Sequence, residues 1–341
     1  MSLLDDMSTP IIAAPMAGGP STPEMVSEAG RAGGLGFLAS GTISAEQLAR
    51  DMREVAAPRY GVNLFCPQQP YRDLGPLEAL VDGLVPLFAR HGLPTPELPA
   101  VDYTMGWDAK VAVLLDAARA GHGPAVVSST FGIFSPHEVD CLHSYGVEAW
   151  VTVTNEHDAA VAARAGVDAL VVQGPEAGGH RSTWTVVEEP DTRPLRELVA
   201  AVHAAASATP LVAAGGLSTP ETVAEALSWP GVRAVSCGTA FLLAEEAGTS
   251  AANRALLARA REETVSTRAF SGRYARGLAT AFTREYREIP PSYPHLNVLL
   301  KPMRSDPECA YCLAGQAYRE AKPLPAADIM ELLGNLTGNV R

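Results

Sequence analysis

Leu170-Val171-Val172-Gln173-Gly174-Pro175-Glu176-Ala177-Gly178-Gly179-His180-Arg181 starts as an unbroken apolar run and ends in a glycine pair that delivers a single histidine. A strand that is apolar at every position, not at alternate ones, is covered on both faces, as in a parallel sheet. Glycines where such a strand ends let a backbone approach a ligand closely. A histidine placed there can act as an acid or base near neutral pH.

Working outward, seven more short apolar runs share this character. The eight candidate strands cover residues 11–16, 35–40, 60–65, 125–131, 149–153, 169–173, 211–214 and 234–237. Ala-rich stretches with helical spacing lie between most of them, at 23–32, 45–55, 156–165 and 221–227. Eight parallel strands with helical crossovers predict an α/β chain folded as a (β/α)8 TIM barrel. An internal echo supports it. Ser21-Thr22-Pro23-Glu24-Met25-Val26-Ser27-Glu28-Ala29 resembles Ser218-Thr219-Pro220-Glu221-Thr222-Val223-Ala224-Glu225-Ala226, and Gly41-Thr42 and Gly238-Thr239 follow at equal spacing. Each copy opens with a capping Thr, a Pro suited to the first helical turn and an early Glu. A Rossmann sheet predicts no such echo, and no G-x-G-x-x-G opens a helix. The barrel is expected over residues 1–250. A Pro-rich insertion at 67–106 after strand three is expected to cap its mouth with short helices. Residues 251–341 read as a helical and loop extension that folds back over the same mouth.

Composition narrows the function. Hydrophobic residues are 47% and charged ones 19% of 341, which allows a large core and argues against disorder. A formal net charge of −12 disfavours nucleic acid and acidic membrane surfaces. No apolar run reaches the length of a membrane span, and the acidic start Met1-Ser2-Leu3-Leu4-Asp5-Asp6 is no signal peptide, so a cytoplasmic protein is expected. Five cysteines fit reduced thiols, and Cys309-Ala310-Tyr311-Cys312 is a lone CxxC without the further ligands zinc requires, so no metal site is expected.

In a barrel the loops after the strands build the site. Strand one ends in Ala14-Pro15-Met16-Ala17-Gly18-Gly19, strand three in Val62-Asn63-Leu64-Phe65, strand seven in Ala213-Ala214-Gly215-Gly216 and strand eight in Cys237-Gly238-Thr239. Asn63 and Gln173 can each donate and accept, which suits the edge of a planar heterocycle. Gly215-Gly216 and Gly238-Thr239 follow strands seven and eight, the usual phosphate position of this fold. A phosphate plus a flat ring with amide-like edges points to flavin mononucleotide (FMN). A phosphosugar barrel without a flavin is the competing reading of these spacings. The cofactor-binding candidates are Ala14, Met16, Asn63, Gln173, Gly178, Gly179, Gly215, Gly216, Ser236, Cys237, Gly238 and Thr239.

With these motifs the chain resembles the nitronate monooxygenase family, also called 2-nitropropane dioxygenases. The matching pieces are Pro10–Gly18, Gly61–Phe65, Gln173–Arg181, Ala213–Gly216, Gly238–Phe241, Ser271-Gly272-Arg273, Tyr293-Pro294, Asn297 and Gly315-Gln316, across nearly the whole chain. The resemblance implies noncovalent FMN at Asn63, Gln173, Gly178, Gly216 and Ser236–Thr239. It implies His180 as the catalytic residue, and Thr130, Tyr293 and Lys301 on the substrate side. It implies FMN-dependent oxidative denitrification of alkyl nitronates by O2, giving a carbonyl compound and nitrite.

The chain departs from the family pattern at Ser182 (often a third glycine), Ser236 (often Gln), Thr130 (His in some members) and the longer Phe131-Gly132-Ile133-Phe134-Ser135-Pro136 element. Two other readings remain at this point: an NAD(P)H-dependent FMN reductase of quinones or enoyl thioesters, and a flavin-binding module without catalysis. A homodimer also stays open.

Overall fold

Thr22 and Thr219 each hold an extended backbone before a helix, and each accepts a backbone N–H three residues on, from Met25 and Thr222. Pro23 and Pro220 follow at the first helical position, where the missing N–H costs nothing. The helices Pro23–Arg31 and Pro220–Leu227 therefore start alike, as the sequence echo predicts. In the computed structural model, which describes residues 2–335, both lie on the wall of a closed barrel.

The strands are β1 (Ile11–Ala13), β2 (Leu35–Ala39), β3 (Gly61–Phe65), β4 (Val126–Thr130), β5 (Glu148–Val153), β6 (Ala169–Gln173), β7 (Gly179–His180), β8 (Leu211–Ala214) and β9 (Val232–Cys237). All but β7 pair in parallel in chain order, and β9 pairs back onto β1 to close eight strands. The eight expected strands are all present. β1 stops at Ala13, short of the expected end, although the Ala14 N–H still reaches the Cys237 carbonyl at 3.0 Å. Pro15 next has no N–H for a ladder. The barrel floor is filled by Ile12, Leu35, Phe37, Val126, Trp150, Ala169, Val212 and Ala234, with Leu3 and Leu4 of the short helix Leu3–Asp6 as its plug.

Two long excursions leave this frame. Between β3 and its wall helix Trp107–Arg119, the expected cap contains one long helix, Gly75–Arg90. After β9 the chain crosses the mouth and returns as the helix Ala326–Gly334, which packs against Pro23–Arg31, Pro220–Leu227 and β1. That helix occupies the wall position of the eighth crossover, and its Ile329, Met330 and Leu333 join the main core. Residues 336–341 of the expected extension lie outside the described residues. The expectation of helices and loops over the extension is corrected by an antiparallel hairpin, β10 (Thr264–Thr267) with β11 (Ala275–Leu278). These four-residue strands carry no apolar alternation, and β11 takes its second partner from far away, pairing Ala275 with His180 and Arg276 with Gly179. Cap and extension share a second core that includes Leu84, Leu87, Phe282, Leu296 and Met303.

If the last helix completes the wall, Met330→Ala, at a fully buried position, lowers the unfolding free energy by about 2–5 kcal/mol, as large-to-small core changes do. Leu332→Ala on the same helix, at a position 40% exposed, stays within about 0.5 kcal/mol. Urea unfolding of both variants checks this, and equal effects would contradict the assignment.

Candidate active site

Gln173 ends β6, and its amide holds the C-terminal end of the glycine–histidine loop on either side of Arg181. Nε2 donates to the His180 carbonyl at 2.8 Å, and Oε1 accepts the Ser182 N–H at 2.9 Å. The loop is pinned on its far side by β11 and by the Arg181 N–H to the Tyr274 carbonyl at 2.8 Å. Gly179 has φ +85°, and a Cβ there would meet nothing within 4 Å, so its outer face is open. Its glycine is required by the backbone conformation, not by crowding.

The His180 ring stands edge-on to two aromatic rings. Phe131 is 5.8 Å away at 87° and Tyr293 is 5.5 Å away at 64°. Phe131 has φ +71°, a left-handed conformation that costs a bulky residue of order 1–3 kcal/mol. Three contacts fix it there. Its N–H donates to Ser182 Oγ at 3.1 Å, its carbonyl accepts from Gln68 Nε2 at 3.2 Å, and the Arg273 guanidinium lies 4.1 Å over its ring. Arg273 is buried and donates to the Thr183 carbonyl at 2.6 Å and to Gln68 Oε1. Tyr293 is fixed from the cap, whose Tyr71 hydroxyl donates to its carbonyl at 3.0 Å. His295 joins cap to extension through the Tyr103 hydroxyl (2.6 Å to Nε2) and the Pro99 carbonyl (3.0 Å from Nδ1).

His180 Nε2 lies 2.7 Å from the hydroxyl of buried Ser271. Whichever partner donates, the bond fixes the ring plane. Nδ1 is then the nitrogen with no hydrogen bond among the described residues. Loss of hydration pushes the imidazole pKa down to about 3, and the charges of Arg273 and Arg304 push the same way. The ring is therefore neutral across the physiological range.

A second feature faces the same mouth. The backbone N–H groups of Gly215, Gly216, Gly238 and Thr239 make no hydrogen bond among the described residues. Gly215 and Gly216 have φ +126° and +71°. A Cβ on Gly238 would look onto Ala14 and Met16 at 3.5–3.7 Å. Free amides on bare glycine surface beside a helix start accept an anion such as a phosphate. The extension seals this cradle: Gly315 N–H donates to Thr239 Oγ1 at 2.9 Å, and Gln316 N–H to the Glu176 carbonyl at 3.0 Å. Gly178 is packed so closely on Ala314 and Gly315 that a Cβ would lie 2.5 Å from the Gly315 nitrogen. Asn63 is buried and donates to Ser128 Oγ (2.9 Å) and Thr130 Oγ1 (3.0 Å), while its Oδ1 has only a 3.5 Å contact from Thr130. That weakly satisfied acceptor, and the second Gln173 N–H, are the polar edges left for a planar ring. Ser236 and Cys237 are buried at the end of β9, and burial pushes the Cys237 thiol up to about 12. Free amides and spare amide edges together fit a flavin carrying a phosphate.

Lys301 is not brought to this place. It is exposed on the short 3-10 helix Lys301–Met303, whereas Arg304, just after that helix, is with Arg273 one of two cations whose charges act on His180. Ser271, Arg273, Arg304 and Gln68 carry no role from the sequence reading. The motif Ser271-Gly272-Arg273 was visible in it, but only the β11–β7 pairing shows that it backs the histidine.

A barrel of this kind carries one imidazole and an anion cradle at the C-terminal ends of its strands, the place where this fold does its chemistry. The nitronate monooxygenase family model matches residues 1–335. Nitronate monooxygenases of Pseudomonas aeruginosa and Paraburkholderia phytofirmans are 35% and 33% identical, each over 95% of this chain and 95% and 91% of their own lengths. A solved nitroalkane oxidase from Streptomyces ansochromogenes superposes with a TM-score of 0.88 at 35% identity, covering 97% of this chain and 96% of that one. FabK from Thermotoga maritima, at 24% identity and a TM-score of 0.68, shares the fold. The chain belongs to the nitronate monooxygenase family, whose members use a flavin.

The low His180 pKa has a measurable sign. Between the ordinary value of 6.5 and about 3, the unfolded chain binds a proton that the folded site refuses, so this group's contribution to stability falls as pH drops through that window. Imidazole NMR of the folded protein at pH 5 is expected to show His180 neutral. An imidazolium signal at that pH would contradict the geometry.

Proposed function

We propose that the protein oxidises alkyl nitronates with FMN and O2, giving a carbonyl compound and nitrite. One observation carries the reading. A neutral imidazole, fixed through Nε2 to Ser271 with Nδ1 free, stands beside guanidinium groups and faces a mouth that has an anion cradle.

FMN is the flavin form that a single cradle suits, because its chain ends in one phosphate. Gly215, Gly216, Gly238 and Thr239 would hold that phosphate through backbone amides, and Ala14, Met16, Ser236 and Cys237 would line the approach. Asn63, Gln173, Gly178 and Gly179 would meet the ring and its chain. When bound, the flavin accepts electrons from the nitronate and passes them to O2.

The protein's own groups do the rest. Arg273 and Arg304 favour an anion against the aromatic box. A bound anion offsets the two charges that depress the imidazole, so His180 gains basicity when substrate arrives. Toward a nitronate, Nδ1 carrying the proton would hydrogen-bond an oxygen; toward a neutral nitroalkane, which brings no such charge, an unprotonated Nδ1 would take the α-proton. Phe131 and Tyr293 exclude water from that contact, and Thr130 closes the β4 side. No helix among the described residues is long and apolar enough to cross a membrane, and the cytosol is the proposed compartment.

His180→Asn is expected to keep FMN and to lose about 10²–10⁴-fold in turnover, the range for removing a positioned acid or base. Unchanged nitrite release would remove His180 from the chemistry. Gly216→Val, at φ +71°, is expected to lower the flavin content of purified protein, and full FMN occupancy would argue against the cradle. Anaerobic mixing separates the reaction classes: a nitronate should bleach the flavin quickly and NADH barely. The reverse result would favour a reductase.

A further inference from the structure

The hydroxyl of Ser271 has three neighbours and one proton to give. His180 Nε2 lies 2.7 Å from Oγ. At longer range, the Arg273 carbonyl can accept from Oγ at 3.4 Å and the Arg273 N–H can donate to it at 3.5 Å. Ser271 and Arg273 are both buried, so solvent does not complete either set. Among the described residues the Arg273 carbonyl has no other donor and the Arg273 N–H no other acceptor. The hydroxyl proton therefore has two destinations. If it points to Nε2, a buried carbonyl is left without a donor, which is costly. If it points to that carbonyl, Oγ accepts from Nε2–H and from the Arg273 N–H, and every group is met. That fills the one donor and two acceptor positions of a serine hydroxyl. The buried His180 ring is neutral, and a neutral imidazole carries a single N–H. A proton on Nε2 leaves Nδ1 with its lone pair, and Nδ1 is the nitrogen with no partner among the described residues.

We propose that Ser271 is a positioning residue that turns its own proton to the Arg273 carbonyl, fixes His180 as the Nε2–H tautomer, and so makes Nδ1 of the resting site a base. The consequence for substrate rests on the nitronate reading above, whereas the tautomer does not. A base at Nδ1 extends the substrate class to neutral nitroalkanes. Nδ1 takes the α-proton, the C–H electron pair moves onto the nitro group, and a nitronate is left beside an imidazolium. The imidazolium keeps its Nε2–H on Ser271 Oγ, and the hydroxyl proton stays on the Arg273 carbonyl. The new charge is thus met by two oriented dipoles with no second proton transfer. A nitronate supplied ready-made needs no such base, so the tautomer matters more to one substrate than to the other.

Long-range proton–nitrogen NMR of the protein as purified, made with nitrogen-15 histidine, reads the tautomer directly. His180 is assigned as the signal missing from His180→Asn. At neutral pH the wild type is expected to show Nε2 protonated and Nδ1 as a bare acceptor. A proton on Nδ1 would overturn the proposal, and this measurement needs no Ser271 variant to fold. Ser271→Ala is expected to mix the two tautomers and to lower kcat/KM for nitroethane at least about tenfold more than for ethyl nitronate, within the range of a lost general base. Ser271→Thr keeps the hydroxyl and is expected to recover part of both effects. A purely structural Ser271 would lower both substrates together and leave a single tautomer in Ser271→Ala, which would also overturn the proposal. An Nε2–H tautomer in a protein that turns over neither nitro compound would refute the nitronate reading alone. Turnover of both compounds with the wild-type proton on Nδ1 would refute the role of Ser271 alone.

Discussion

The site depends on a two-residue pairing, Ala275 with His180 and Arg276 with Gly179. Without it, the glycine–histidine loop is a strand-end excursion held by Gln173, by the bond from Arg181 to Tyr274 and by the extension's contacts at Glu176 and Gly178. With it, the imidazole backbone belongs to a three-stranded sheet whose other members come from the extension. The same stretch of extension brings Ser271 to Nε2 and Arg273 to Phe131. Backbone pairing therefore fixes histidine, its hydrogen-bond partner and its nearest aromatic wall as one unit. Preorganisation of this kind is what positions a proton-transfer group to within hydrogen-bond reach of its substrate.

Electrostatics follow from that assembly. Tyr293, Phe131 and the sheet strip water from the imidazole, and two unpaired arginines add positive potential. Both effects keep the ring neutral, and an entering anion offsets the second of them. A site that is least comfortable when empty binds its anion partly through relief of that cost. The amides of Gly215, Gly216, Gly238 and Thr239, left without a partner among the described residues where β8 and β9 end, offer backbone dipoles and no charged side chain. In the proposed reading, charged side chains serve the reacting end and backbone dipoles the anchoring end.

The barrel was legible because a continuous apolar run, a capped helix start and a twenty-residue echo are local signals. Strand-end polar and glycine residues were legible because the fold itself designates strand ends as the site. Arg304 and Ser271 were not, because nothing local distinguishes a solvated arginine or serine from one folded over a distant loop. Lys301 illustrates the limit: three residues separate an exposed lysine from a half-buried arginine stacked on Tyr311, and nothing local in the sequence decides between them. The hairpin was hidden for a related reason. Its four-residue strands gain their meaning from β7, a partner almost a hundred residues earlier.

Ser182 shows how a departure from a family pattern can be absorbed by the local structure. At this position the chain has a hydroxyl that accepts the Phe131 N–H and donates to the Thr152 carbonyl at 3.3 Å. Phe131 is the residue with the strained φ, so the hydroxyl sits where strain must be offset. Gln68 supports the same residue from the cap, and Arg273 from the extension. Barrel, insertion and extension thus each contribute one restraint to a single aromatic residue, the first two on its backbone and the third on its ring. A backbone fixed on both sides of its Cα aims the ring, and Phe131 stays edge-on to His180.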